Sequence, residues 1–158
     1  MTPFRSIPAA LPFRWILALL LIAATVACGC GGGGSSPPTA PPPGLGEAEP
    51  NDFTAQSVGT LSTSDIRVNG STASARDVDL YSVIASAPVA LSVSLDWSGS
   101  SDLELTISNG AGIFVRHVDT AGHPESCILA GLPAGTYTVR VGSFTNAATG
   151  YSLFIGQR

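Results

Sequence analysis

Oxygen-bearing side chains gather at two places in this sequence, and at both the spacing is two. Glu47, Glu49 and Asn51 alternate through GEAEPND with Asp52 directly after, and Asp77 and Asp79 repeat the interval further along. Pro50 disfavours helix for Glu49 and holds the segment extended, and in an extended chain residues two apart point the same way. Glu47, Glu49 and Asn51 then make one row of oxygens, and Asp77 with Asp79 a second row at the start of a strand. Carboxylates and an amide carbonyl are the hard donors that calcium takes, about six to eight of them in a forgiving geometry. The same residues also read as a solvated acidic turn, neutralised in part by Arg76.

Other chemistry is thinly supplied. His117 and His123 are the only imidazoles. Two histidines six apart without a third ligand make a poor zinc site, and His123 precedes Pro124 in a turn. No GxSxG elbow, HExxH pair or phosphate-cradling loop is present, so the chain reads as non-catalytic. Charge narrows the partners. Eleven acids face seven arginines and no lysine, and Arg5 and Arg14 lie in the N-terminal segment, so the remainder carries five arginines and a net charge of −6. Such a surface repels phosphate backbones and anionic lipid, which excludes nucleic acid and favours a cation.

The N-terminus reads as an address. Residues 1–14 hold two arginines and no acid, and Trp15 to Ala27 is a 13-residue run dominated by Leu, Ile, Ala and Val. That is export-signal architecture, and as a helix it would cover about 20 Å, short of a membrane's hydrocarbon thickness of roughly 30 Å. It ends in Thr25-Val26-Ala27-Cys28-Gly29, which resembles the lipobox of bacterial lipoproteins. The resemblance implies cleavage before Cys28, acylation of that residue and, with Gly29 following, an outer-membrane destination. Cys30 is the rival acceptor, and simple cleavage with release of a secreted protein is the alternative. Residues 29–46, GCGGGGSSPPTAPPPGLG, bury almost nothing apolar and read as a tether reaching at most about 55 Å. The domain boundaries expected are thus 1–27, 28–46 and 47–158.

The elements that must position the acidic rows are strands. Leu91, Val93, Leu95 and Trp97 share one face of VALSVSLDW, and Leu103, Leu105 and Ile107 one face of DLELTIS. Tyr137, Val139 and Val141, and then Tyr151, Leu153 and Ile155, repeat the pattern near the C-terminus. The separators SGSS, NGAG, TAGHP, LPAG and TNAATG are turn clusters at sandwich spacing. About eight short antiparallel strands in two packed sheets are expected, an all-β sandwich. Asp102 and Glu104 alternate with Leu103 and Leu105 and so face solvent, close enough to a turn to leave a weak second ion site open. Cys127, in phase with Leu129, reads as a small buried hydrophobe. Phe53, Phe114 and Phe144 fall at loops or edges.

Five pieces in order, GEAEPNDFTAQSVGTL, DVDLYSV, LSVSLDW with DLELTISNG, ESCILAGLPAGTYTVRV and GYSLFIG, resemble the bacterial pre-peptidase C-terminal (PPC) domain. The resemblance spans Glu47 to Gly156. It implies a jelly-roll-like β-sandwich, usually carried behind secreted peptidase domains, with collagenase relatives that bind calcium and collagen. In the calcium-binding members the Glu-x-Glu-x-Asn-Asp segment and a strand-start aspartate are ligands. Matched position by position, these are Glu47, Glu49, Asn51, Asp52, Asp77 and Asp79 here. No peptidase domain precedes the segment in this chain, so the implied role is that of an accessory module for an extracellular protein or polysaccharide.

Overall fold

The computed structural model describes residues 43–158, and the export signal, Cys28, Cys30 and the tether as far as Pro42 lie outside them. All regular structure described is β: β1 (Leu45–Gly46), β2 (Gln56–Thr60), β3 (Ile66–Thr72), β4 (Val78–Ala85), β5 (Val89–Trp97), β6 (Leu103–Asn109), β7 (Phe114–Val118), β8 (Glu125–Leu132), β9 (Gly135–Ser143) and β10 (Thr149–Gln157). They form two five-stranded sheets, ordered β1-β3-β10-β5-β8 and β2-β4-β9-β6-β7. The first is called sheet A and the second sheet B. The first strand, Leu45–Gly46, begins two residues before Glu47.

The alternation that defines the strands also builds the core, because successive side chains in a strand leave opposite faces of its sheet. Leu91, Val93, Leu95, Leu153 and Ile155 project from sheet A, and Tyr81, Val83, Leu103, Leu105, Ile107, Val139 and Val141 from sheet B, all of them buried. Trp97, Tyr137 and Tyr151 join them with 6%, 3% and 5% exposure, so these three aromatic residues are core. Cys127 is half-buried against the same cluster, and burial pushes its thiol up. Phe53, Phe114 and Phe144 are exposed. Glu104 lies on the outer face of sheet B, where it pairs with Arg140 and has Oε2 3.1 Å from His117 Nε2.

Two features correct the expectation of eight antiparallel strands. Among the described residues there are ten, and at one edge of each sheet the pairing is parallel: β1 runs with β3, and β2 with β4. The reason is the path of the chain. From β1 to β6 each strand enters the opposite sheet from the one before, so strands two apart in sequence run the same way after two reversals. β1 with β3 and β2 with β4 are direct neighbours, whereas β10 and β9 separate β3 from β5 and β4 from β6. The remaining pairs are antiparallel.

That path also gathers the acidic rows. In sheet A, Tyr151 at the start of β10 lies opposite Gly70 near the end of β3; in sheet B, Asp79 at the start of β4 lies opposite Val141 near the end of β9. These positions share one end of the sandwich. Residues 47–55, which connect β1 in sheet A to β2 in sheet B, cross over that end.

Candidate metal centre

The crossing segment is fixed before its carboxylates are placed. Glu47 N donates to Asn69 O at 3.1 Å, extending the parallel ladder by one residue. Gln56 clamps the next turn, donating to Gly46 O at 3.0 Å and accepting from Ala48 N at 2.9 Å. Glu47 then reaches inward. Its Oε2 accepts from Ser71 N at 2.8 Å, and its Oε1 accepts from the Tyr81 hydroxyl at 2.8 Å and from Asn51 Nδ2 at 3.4 Å. Glu49 folds back so that Oε2 accepts from Asn51 N at 2.9 Å. Asp79 rises from the sheet below, fully buried, with Oδ2 2.5 Å from the Tyr151 hydroxyl.

One oxygen from each of Glu47, Glu49 and Asp79 lies within 4.8 Å of the other two. Beside them Asn51 is 1% exposed, and both its Oδ1 and Asp79 Oδ1 are buried without a hydrogen-bond partner. A buried polar oxygen left unpaired costs about 1–3 kcal/mol, and a charged one more. Two such atoms beside three converging carboxylates are what a cation site presents when described by its protein atoms alone. The cluster has the donor set to hold a metal ion.

Its electrostatics point the same way. Burial, with the charge of Glu47 adding to it and the Tyr151 hydroxyl opposing it, pushes Asp79 from its usual 3.8 up to about 8. Burial likewise pushes Tyr81 and Tyr151 far up, so both phenols keep their protons. The two phenol oxygens are 2.5 Å apart. Three short contacts therefore run in series, from Asp79 to Tyr151, Tyr81 and Glu47, and two phenol protons cannot fill all three. A third proton, on Asp79, fills the remaining contact.

Of the six residues singled out in the sequence, the structure brings Glu47, Glu49 and Asp79 together with the amide of Asn51 alongside. Asp52 and Asp77 stand at the flank as loop staples. Asp52 Oδ1 accepts from Val78 N at 3.3 Å, and Asp77 Oδ2 accepts from Ala73 N. Asp77 is close enough for its charge to add to the upward push on Asp79. Sequence reasoning missed Tyr81 and Tyr151 as partners of the carboxylates, although a signal was present: Asp79 sits on the inward phase of β4, in step with Tyr81 and Val83. It also missed Gly70, where a Cβ would lie 2.5 Å from the Tyr151 ring. Only a bare backbone there lets the phenol reach Asp79.

The crystal structure of the pre-peptidase C-terminal domain of a collagenase from Bacillus anthracis matches 66% of this chain and 99% of that domain, with a TM-score of 0.55 at 13% identity. The chain has a PPC-like fold. Weaker likenesses are a periplasmic inhibitor of g-type lysozyme from Aeromonas hydrophila, at a TM-score of 0.44 and 16% identity over 65% of this chain and 100% of that one, and the mitogen of Yersinia pseudotuberculosis, at 0.47 and 11% over 61% and 88%. No protein-family model and no curated protein matches the sequence. At such identities the likeness is one of fold, and the carboxylate cluster of this PPC-like sandwich rests on its own geometry.

That geometry makes Tyr151→Phe informative. The variant keeps the buried ring and removes the hydroxyl that contacts Asp79 Oδ2, so a loss of about 1–3 kcal/mol is expected in calcium-saturated urea melts. A loss under about 0.5 kcal/mol would show that the hydroxyl does not support the cluster.

Proposed function

We propose that this chain is a non-catalytic cell-envelope lipoprotein, which presents a calcium-stabilised PPC-like sandwich as a binding or accessory module. The observation that carries the reading is the pair of buried, unpartnered oxygens, Asn51 Oδ1 and Asp79 Oδ1, beside the carboxylates of Glu47 and Glu49. The donors are all hard oxygens, with no thiolate or imidazole among them, and this set suits calcium rather than zinc. Bound there, calcium would supply charge neutralisation and a tie between the 47–55 segment and both sheets. Glu47, Glu49, Asn51 and Asp79 would hold it, with Asp52 and Asp77 within the same end of the sandwich. The role is one of stability, not reaction. Both imidazoles are engaged in surface pairs, His123 with Asp96 at 3.1 Å and His117 with Glu104 at 3.1 Å, which supports a non-catalytic reading.

The envelope location rests on the signal and on Cys28, followed by Gly29, with Cys30 as the rival acceptor. Several acyl chains, at about 0.8 kcal/mol per buried CH₂, would make attachment effectively permanent. Full-length protein should partition into the detergent phase, and Cys28→Ser should move it to the aqueous phase. Unchanged partitioning would place the anchor elsewhere. The alternative role, capture of protein or polysaccharide beside a separately encoded peptidase or other hydrolase, is tested by adsorption to collagen, chitin and peptidoglycan. Retention on none of the three would count against a binding module of either kind.

A further inference from the structure

Each sheet ends in two edge strands, and an edge offers unpaired backbone N–H and C=O groups to any strand that approaches it. Three of the four edges described carry a defence of the kind that prevents such pairing: shortness, a bulge or exposed charge. β1 is two residues long. β2 holds Gly59 at a φ of 107° with a register shift beside it. β7 presents Arg116 and His117, again with a register shift against its neighbour. β8, the other edge of sheet A, has no such device over residues 126–130. That run is SCILA, without a charge or a proline, and the bulge of β8 comes only afterwards, at Gly131.

The side chains of the run are equally unfinished. Ile128, on the outer face, is 64% exposed. On the inner phase Cys127 and Leu129 pack against the core but are only half-buried, whereas Val93 and Leu91, opposite them in β5, are fully buried. A further strand alongside would cover them. Charge selects the source of that strand. Of the chain's eleven acids, all but Asp65 lie in the crossing segment or within two residues of a strand end that meets it, and Asp65 is paired with Arg158 at the far end. A two-fold axis beside β8 pairs the strand antiparallel with its own copy, which sends the two acidic ends to opposite ends of the joint sheet. Two chains of net −6 then meet along uncharged residues, the acidic end of each beside the far end of the other. An unrelated strand would find the same backbone groups but gains nothing from this polarity.

We propose that β8 is a self-association edge, through which two copies of this chain pair antiparallel along residues 126–130 and join their A sheets into one of ten strands. Ser126, Ile128 and Ala130 lie on the outer face of the joint sheet, and Cys127 and Leu129 of each copy are covered on the inner one. The test weighs full-length protein in detergent by light scattering, with the detergent's contribution subtracted, and follows amide hydrogen exchange in the same solution. The expected particle holds two chains, with slow exchange over residues 126–130. Ile128→Lys places a cation on the edge, the natural device against pairing, and should halve the protein mass and speed exchange of those amides at least about tenfold. Its exposure lets the variant keep its fold, and Ser126→Lys, at another exposed position of the same face, is expected to act alike and keeps the test open should Ile128→Lys misfold. Ile113→Lys, at a residue 63% exposed between β6 and β7, should change neither reading. A one-chain particle from the unsubstituted protein would overturn the proposal and leave β8 to a strand of another protein. A two-chain particle that both edge variants leave intact would overturn it as well, since the contact would then lie on another surface.

Discussion

Leu105→Ala should cost about 2–5 kcal/mol, and Thr106→Ala, one residue on, under about 1 kcal/mol. Leu105 is fully buried in β6, opposite Val141 of β9 and Val118 of β7, with its side chain between the sheets. Truncation removes apolar contact and leaves a cavity that flanking strands, pinned by their ladders, cannot close. Thr106 points to the outer face, opposite Arg140 and His117, where its loss opens only a surface site. For a domain of this size each kcal/mol moves the melting midpoint by about 4 °C or somewhat more, so the two variants should melt at least 8 °C apart at the larger costs. Urea titrations of both check the result. Equal costs would mean that β6 does not present alternate residues to opposite faces, and the sandwich described here would be wrong at its centre.

The contrast shows why so much of the architecture was legible. In Leu91 to Trp97, Leu103 to Ile107, Tyr137 to Val141 and Tyr151 to Ile155, every apolar residue but Phe154 falls on one phase of a two-residue period, and burial follows that phase. Local pattern suffices there because each strand has one wet and one dry face. It does not suffice for β1 and β2, whose parallel pairing depends on which sheet each strand joins, a property of the whole path. The site divides along the same line. A spacing of two places Glu47 and Glu49 on one side of the chain, and an acid on the inward phase of β4 marks Asp79. Spacing does not say which backbone N–H will claim a carboxylate, and so it could not separate Asp52 and Asp77, held by Val78 N and Ala73 N, from the converging three. Nor could it show that Tyr81, and Tyr151 on the apolar phase of its strand, carry hydroxyls from the core's rim into the cluster.

Melted in excess chelator, the sandwich should be more stable in mild acid than in mild alkali, and calcium should reverse that trend. The folded pKa of Asp79 is raised from 3.8 to about 8. A group raised in this way contributes stability that is fully present below the unfolded value, near 4, and is lost as pH rises through about 8. Above that range the metal-free fold must hold a buried anion beside Glu47 and Glu49, and the third proton of the Asp79–Tyr151–Tyr81–Glu47 series is gone. On the proposed function calcium would take over the neutralising charge of that proton by binding the ionised carboxylates, so proton and metal would compete, and the gain on adding calcium should be small at pH 5 and largest at pH 8 to 9. Binding to the folded form alone adds about 2.7 kcal/mol at a hundredfold excess over Kd, or near 10 °C in the midpoint for a domain of this size. Magnesium should give little of this, since it demands a tight octahedron and sheds water reluctantly. Asp79→Asn should flatten the pH dependence in chelator and remove most of the calcium shift together, because one carboxyl group underlies both. Glu49→Ala, whose side chain lies at the exposed side of the cluster, should remove the calcium shift while leaving the pH dependence in place. Thermal melts of residues 43–158 and these two variants, at pH 5, 7 and 9 with millimolar calcium or chelator, separate the possibilities. Midpoints that coincide with and without calcium at pH 9 would sink the metal site, and Asp79 would then be a buried acid that keeps its proton to the upper end of the neutral range.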